Sequence, residues 1–281
     1  MREITLGQYY PVSSFVHKLD PRTKLIIALL YLVVIFFIDT FVGFGVILAF
    51  LALAIAFSRV PLLKILKSLK VIMFLVLFTV LMTLVFYGGA KDEVLFSWWV
   101  VVVYKGQLES CALMALRLVF LVIGPTMLTY TTTPVELTDG IESLLKPLKL
   151  IGVNVRAFAL VMSITLRLIP TLSEETDKII NAQKARCADF ESGNIFKRAK
   201  AMLPILIPLL CSSFRRADEL AYAMDSRCYK GSKDRTRLKK LSFTYKDPIA
   251  FVLFMLVIFL IAWIKFNFLP FVDLTALGWI V

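Results

Sequence analysis

The chain has 281 residues, of which 59% are hydrophobic and 23 are Phe, and its formal net charge is +12. Soluble domains are typically about 45–50% apolar, so the excess calls for lipid as its solvent and excludes an ordinary soluble domain. The positive charge alone would suit a nucleic-acid partner, but most of it flanks apolar runs, so no nucleic acid is expected and a membrane protein with one basic face is.

The first apolar run begins at Leu25. It is too long for the core of a signal peptide and continues into further apolar sequence, so it reads as membrane helix. Asp20-Pro21 supplies a cap with Pro at the first helical position. From Leu25 to Phe57 only Asp39 is charged, and at about 1.5 Å per residue this run exceeds one crossing of a core roughly 30 Å thick. The spacing therefore predicts two spans, about 21–41 and 44–57, with a reversal at Asp39–Gly45 where Gly43 and Gly45 permit a tight turn. Further spans are predicted at 71–87, stopping at Gly88-Gly89, at 110–130 and at 249–268.

Lys and Arg set the orientation. Arg2, Lys18, Arg22 and Lys24 precede the first span, and Arg59, Lys64, Lys67 and Lys70 occupy a predicted loop after the second. Another 20 lie between Thr131 and Pro248, so 28 of the 32 basic residues fall on one side. That side is the cytoplasm by the positive-inside rule. The fold class expected is an all-α, multi-pass protein of the bacterial cell membrane. Residues 1–130 form a region of four spans with the N-terminus inside, 131–248 a cytoplasmic module of coupling helices, and 249–281 a last span with its end outside. Trp98, Trp99, Tyr104 and Trp279 read as interface anchors. Arg117 is the one clear intramembrane charge. Such a charge marks either a functional site or a bond to a neighbouring helix's backbone.

The segment 131–248, with 20 basic and 13 acidic residues, is too charged to span and too apolar for a free linker. It opens on Thr133-Pro134-Val135-Glu136, a capping box with Pro at the first helical position. The helix that follows places Leu137, Ile141, Leu144, Leu145 and Leu148 on one stripe and ends around Pro147, a surface for the rest of the protein or for a partner helix. Two apolar stretches, 157–172 and 202–214, resemble spans. The first contains Arg167; the second is short and holds Pro204 and Pro208. If both crossed, the basic stretch between them would lie outside, so helices along the inner face are expected instead.

Both stretches lead into a similar ending, Ala185-Arg186-Cys187 and Ser226-Arg227-Cys228. Nine residues before each arginine stands an aspartate, Asp177 and Asp218. Eleven and twelve before stand Glu174 and Glu175 in one copy, Arg215 and Arg216 in the other. Two helices with this pattern can cross and pair those opposite charges while both terminal arginines project away; solvated surface charge is the plain alternative.

Taken together, Lys18-Leu-Asp-Pro-Arg-Thr-Lys-Leu25, Thr133-Pro-Val-Glu-Leu-Thr-Asp-Gly140, Leu166-Arg-Leu-Ile-Pro-Thr-Leu172, Ala182-Gln-Lys-Ala-Arg186 and Phe214-Arg-Arg-Ala-Asp-Glu219 resemble the transmembrane (T) component of energy-coupling factor (ECF) transporters, related to the cobalt-type CbiQ subunits. The likeness spans nearly the whole chain. It implies that the two triplets dock into grooves on two ABC-type ATPase subunits. It implies also a separate membrane-embedded S component, possibly interchangeable, that holds the cargo, a vitamin or a transition-metal ion. Leu137, Ile141, Leu144 and Leu145 are then its contact surface. This chain has Cys where family members commonly carry Gly, and if that glycine serves a left-handed helix end, cysteine there is strained.

Catalytic and nucleotide signatures are missing. There is no P-loop, no H-E-x-x-H and no G-x-S-x-G, so an energy-coupling subunit without its own enzymatic activity is expected. Cys111, Cys187, Cys211 and Cys228 lack C-x-x-C spacing and the only histidine is His17. No zinc set and no cofactor follow from that inventory, and the cysteines read as reduced packing residues. The competing readings are a self-contained secondary transporter, which calls for ionisable or broken-helix features at the midplane, and a membrane-embedded enzyme, which calls for a nucleophile–base pair.

Overall fold

The computed structural model describes residues 9–86, 94–98, 101–147, 152, 154–188, 190, 194–229, 231 and 243–268. These form eight helices and one short hairpin: α1 (Pro21–Phe36), α2 (Phe41–Ser58), α3 (Leu62–Phe86), β1 (Val94–Trp98), β2 (Val101–Tyr104), α4 (Lys105–Thr131), α5 (Pro134–Leu144), α6 (Val155–Ala185), α7 (Ile195–Asp225) and α8 (Lys246–Phe268). The fold is that of an all-α membrane protein, with one antiparallel hairpin between α3 and α4. Among the described residues four helices are long and apolar enough to cross a membrane: α2, α4 from Gly106, α6 from Ala157 and α8 to Phe266. α3 makes a fifth as a bent pair, Leu62–Lys70 and Ile72–Thr83 at 51°. The chain divides into two compact units, one built from α1–α4, the first half of α5 and α8, the other from the rest of α5 with α6 and α7.

In the first unit, α1 starts at the cap where the sequence places it. Asp20 accepts from the Arg22 N–H at 2.9 Å with Pro21 at the first position. The buried Asp247 does more than its place in the first turn of α8 suggests. Its carboxylate accepts the Asp20 N–H and the Thr244 N–H, each at 2.7 Å, and so ties the entry of α1 to the entry of α8. Lys24, also buried, donates to the carbonyls of His17 and Thr131 at 3.2 and 2.9 Å, and the end of α4 is held there. His17 donates from Nε2 to the Tyr10 carbonyl at 3.0 Å and takes the Ser14 hydroxyl on Nδ1 at 2.7 Å. Burial lowers its pKa and keeps the ring neutral. This is a structural histidine.

The core of this unit joins α1, α2, α4 and α8 through Tyr31, Ile35, Phe44, Ile47, Phe120 and Phe254. Phe44 stacks on Phe120 with ring centres 5.8 Å apart. The Tyr31 hydroxyl, in an apolar surrounding, donates to the Phe120 carbonyl at 2.7 Å.

Four expectations are corrected here. The reversal expected at Asp39–Gly45 lies at 37–40: α1 stops at Phe36, Thr40 caps α2, and Gly43 and Gly45 sit inside α2. Gly43 serves a close approach, because a Cβ there would lie 2.8 Å from Ile38 Cγ2. At 16 residues α1 is about 24 Å long, shorter than the span expected to residue 41. The loop expected to hold Lys64, Lys67 and Lys70 is helical, since α3 begins at Leu62, and the bend near residue 71 marks where its basic segment gives way to the apolar one. α4 starts at Lys105, five residues before the predicted boundary.

Arg117 resolves in favour of a structural bond. Its guanidinium donates to the Ile38 carbonyl at 2.8 Å and to Asp39 at 3.2 Å, while Lys265 donates to the Phe37 carbonyl and to Asp39, both at 3.1 Å. Two cations from α4 and α8 thus satisfy the carbonyls that follow α1. The side chains of Trp98 and Tyr104, and all of Trp99 and Trp279, lie outside the described residues.

Candidate functional site

The capping box opens α5 as its residues dictate. The Glu136 N–H donates to Thr133 Oγ1 and the Thr133 N–H to Glu136 Oε2, both at 3.3 Å. Leu137, Ile141, Leu144 and Leu145 are all half-buried; Leu148 lies outside the described residues.

α6 and α7 are each 31 residues long, about 46 Å. Both are strongly amphipathic, whereas α1, α2 and α8 are apolar all round. Pro170 lies within α6, and Pro204 and Pro208 within α7, without ending either helix. α6 meets the span criterion but is the least apolar of those that do, and it carries Arg167, Glu174, Asp177 and Lys178 on exposed positions.

The helices pack on one another and are pinned by one polar cluster. Arg216 donates to Glu175 Oε2 at 2.7 Å, and the Ser212 hydroxyl donates to Glu175 Oε1. Chiefly through that hydroxyl, and with help from Arg216, the Glu175 carboxyl is held below the usual carboxylate range. Of the four charges expected to pair, then, Glu175 and Arg216 meet, while Glu174 and Arg215 stay exposed. Ser212 was not singled out in sequence; its place one turn before Arg216 is the signal that finds it. The variant Arg216→Glu is expected to loosen this contact and the exchange Glu175→Arg/Arg216→Glu to recover much of it, read as disulfide or dipolar-coupling distances between probes on α6 and α7. An exchange variant no better than Arg216→Glu alone would show that the pair is incidental.

From that cluster the two helices run on identically. Arg186 follows Glu175 by eleven positions, and Arg227 follows Arg216 by eleven, a rise of about 16 Å in each arm. Each arm ends in the same six-residue closure. The Cys187 N–H bonds the Lys184 carbonyl and the Ala188 N–H the Gln183 carbonyl, both at 3.0 Å. In the second arm the Cys228 N–H bonds Asp225 at 2.9 Å and the Tyr229 N–H bonds Met224 at 3.1 Å. This is the Schellman pattern, in which the residue after the cap turns left-handed. Cys187 and Cys228 have φ of +62° and +56°, so the strain anticipated for a non-glycine residue is present at both ends. Arg186 and Arg227 occupy the cap positions and both side chains are exposed. Ala185 closes α6, and Ser226 bonds back to Tyr222.

A left-handed cysteine costs about 1–2 kcal/mol, of which glycine recovers all but its own entropy. Cys187→Gly and Cys228→Gly are therefore expected to raise the thermal transition in detergent, by up to about 1 kcal/mol each, and Cys→Val at either position to lower it. The expectation that all four cysteines are packing residues is corrected: each is a free thiol, but only Cys111 is buried.

The family described as cobalt transport protein, CbiQ, matches residues 12–238, from before α1 through both arginine endings. The chain belongs to the CbiQ family. Relatives within it carry the name "Energy-coupling factor transporter transmembrane protein EcfT". That of Clostridium kluyveri is 52% identical over 250 residues, covering 89% of this chain and 92% of the relative. That of Ruminiclostridium cellulolyticum is 48% identical with the same coverage, and that of Bacillus subtilis 43% identical over 252 residues, 90% and 94%. The CbiQ match includes α5, the α6–α7 cluster and both arms; it ends before α8, whose Asp247 nonetheless anchors the first helix.

Proposed function

We propose that this chain is the T component of an ECF-type importer, a scaffold that carries movement from two ABC-type ATPase subunits to an S component holding a vitamin or a transition-metal ion. The observation that carries this reading is the pair of equal arms: two rigid helices locked at Glu175–Arg216, each presenting an exposed arginine eleven residues further on. A coupling element needs stiffness and a strong grip at its tips. Arginine's planar fork meets carboxylates and backbone carbonyls together, which lysine does not reproduce.

In this reading the basic face is cytoplasmic, and α6 and α7 lie along the inner surface rather than crossing it. Met202, Leu203, Leu206, Ile207, Leu210 and Phe214 leave a long apolar stripe exposed on α7 for a partner or lipid, and the half-buried Leu137, Ile141, Leu144 and Leu145 of α5 are assigned to contact with the S component. The chain itself performs no chemistry, and nucleotide hydrolysis belongs to the partners. Arg117 argues against a secondary transporter, because the hydrogen bonds it makes go to the Ile38 carbonyl and Asp39 at a helix end. Purification from native membranes in mild detergent is expected to bring two ATPase chains, alike or homologous, and one small apolar membrane protein. Uptake by the chain reconstituted alone would refute the scaffold.

A further inference from the structure

Two cavities adjoin in the first unit where α1 and α8 begin and α2 ends. The smaller, about 380 Å³, is lined by Ser13, Lys18, Arg59 and Lys246. The larger, about 450 Å³, lies between the helices among Phe50, Leu53, Leu128, Ile249 and Leu253. Phe15 and Phe57 wall both.

The polar cavity concentrates three cations. No acidic side chain lines it, and none of the three makes an ion pair among the described residues. Asp247, next in chain to Lys246, is buried and already accepts two backbone N–H groups. Lys246 is steadied over the Phe15 and Tyr245 rings at 5.6 and 5.7 Å. Arg59 closes α2 in a left-handed conformation, φ +57°, as helix ends commonly do. Three like charges at one opening repel each other unless an anion joins them, and phosphate offers several charge-assisted acceptors at once.

The second cavity has the opposite chemistry. Its lining is almost wholly hydrocarbon, and its one cation, Lys24, is engaged by the His17 and Thr131 carbonyls. Water gains few partners in such a space, and its volume falls in the range of small-ligand sites. The opening through Leu53 and Phe57, 49% and 59% exposed, lies on membrane helices.

We propose that the joined cavities hold one anionic phospholipid, its phosphate between Lys18, Arg59 and Lys246 and one acyl chain between α2 and α8. The occupant is fixed by charge complementarity on one side of the Phe15–Phe57 wall and by apolar lining on the other; basic pockets between membrane helices are a known setting for such head groups. The site depends on membrane insertion alone, so it stands or falls separately from the ATPase-docking reading.

The test uses the full chain, with any accompanying subunits, in nanodiscs of phosphatidylcholine doped with phosphatidylglycerol, followed by detergent extraction and native mass spectrometry. The expected result is one phosphatidylglycerol retained in preference to phosphatidylcholine. Lys18→Gln/Arg59→Gln/Lys246→Gln should weaken retention roughly a hundredfold, at about a decade or less per cation. Leu253→Trp, which fills the apolar cavity and spares the charges, should also release the lipid. Arg59→Gln alone, checked for an unchanged gel-filtration profile, covers the case in which the triple variant fails to fold. Equal retention of both lipids, retention unaltered in the variants, displacement by millimolar inorganic phosphate, or a protein helix found in place of lipid would each overturn the proposal.

Discussion

Replacing Arg186 and Arg227 together by Glu is expected to abolish co-purification of ATPase subunits while the protein remains inserted in the membrane. Both arginines are exposed helix caps, and neither has an ion-pair partner among the described residues, which suits the docking role proposed for them. Truncating one side of a hydrogen-bonded interfacial charge pair costs about 2–5 kcal/mol, roughly 30-fold to several-thousandfold in affinity. Reversal at two sites removes both grips. Each single variant should leave partial association, because one arm still docks, and Arg→Lys at both should fall between wild type and the double Glu variant, since charge persists but the fork is lost. A glutamate at a helix C-terminus also opposes the helix dipole, but by only about 0.3–1 kcal/mol, too little to explain complete loss. ATPase chains retained at wild-type stoichiometry by the double variant would refute the docking role.

The second large effect is internal. Gly124→Ala is expected to destabilise the membrane unit severely. A Cβ at residue 124 would collide with Tyr31 Cε1 and lie 2.5 Å from Cδ1, so α4 meets α1 with the Tyr31 ring against bare backbone. Moving the ring disturbs its anchorage: Tyr31 is 3% exposed and its hydroxyl is committed to the Phe120 carbonyl. Overpacking a tight site costs about 1–3 kcal/mol, sometimes more, and close helix approach through small residues is a principal source of association within lipid. At roughly 2–4 °C per kcal/mol, the melting of the detergent-solubilised protein, followed by size-exclusion chromatography after heating, should fall by several degrees. Tyr31→Leu should be harmful alone yet partly rescue Gly124→Ala, because the two residues occupy one space. Additive effects, or a Gly124→Ala protein as stable as wild type, would show that the contact is slack.

Much of the candidate site was legible because its signals are local. The cap at Asp20-Pro21 and the capping box at Thr133–Glu136 act within one turn, and the duplicated small-Arg-Cys endings with oppositely charged residues eleven positions earlier define two like helices before any contact is known. Left-handed backbone at Cys187 and Cys228 was foreseen only through the resemblance, which puts glycine at those positions. Which charges would meet was less legible: Glu174 and Glu175 are equivalent in sequence, and only the rotation of α6 against α7 selects Glu175 and brings Ser212 to it. The same limit explains the misplaced first reversal, where glycines suggested a turn but Thr40 capped the helix and Gly43 was needed for packing instead.

By itself the sequence determined that this is a multi-helix membrane protein rich in basic residues, where α1 and α5 are capped, and that two matched arms end in arginine, since hydropathy, charge and capping are properties of neighbouring residues. Only the tertiary structure decided that Asp247 holds the entry of α1 across 227 positions, that Arg117 and Lys265 converge on Asp39, and that Gly124 makes room for Tyr31. The reason is physical: those interactions join groups distant along the chain, whose energies depend on helix rotation and separation, and neither is written in any short stretch of residues.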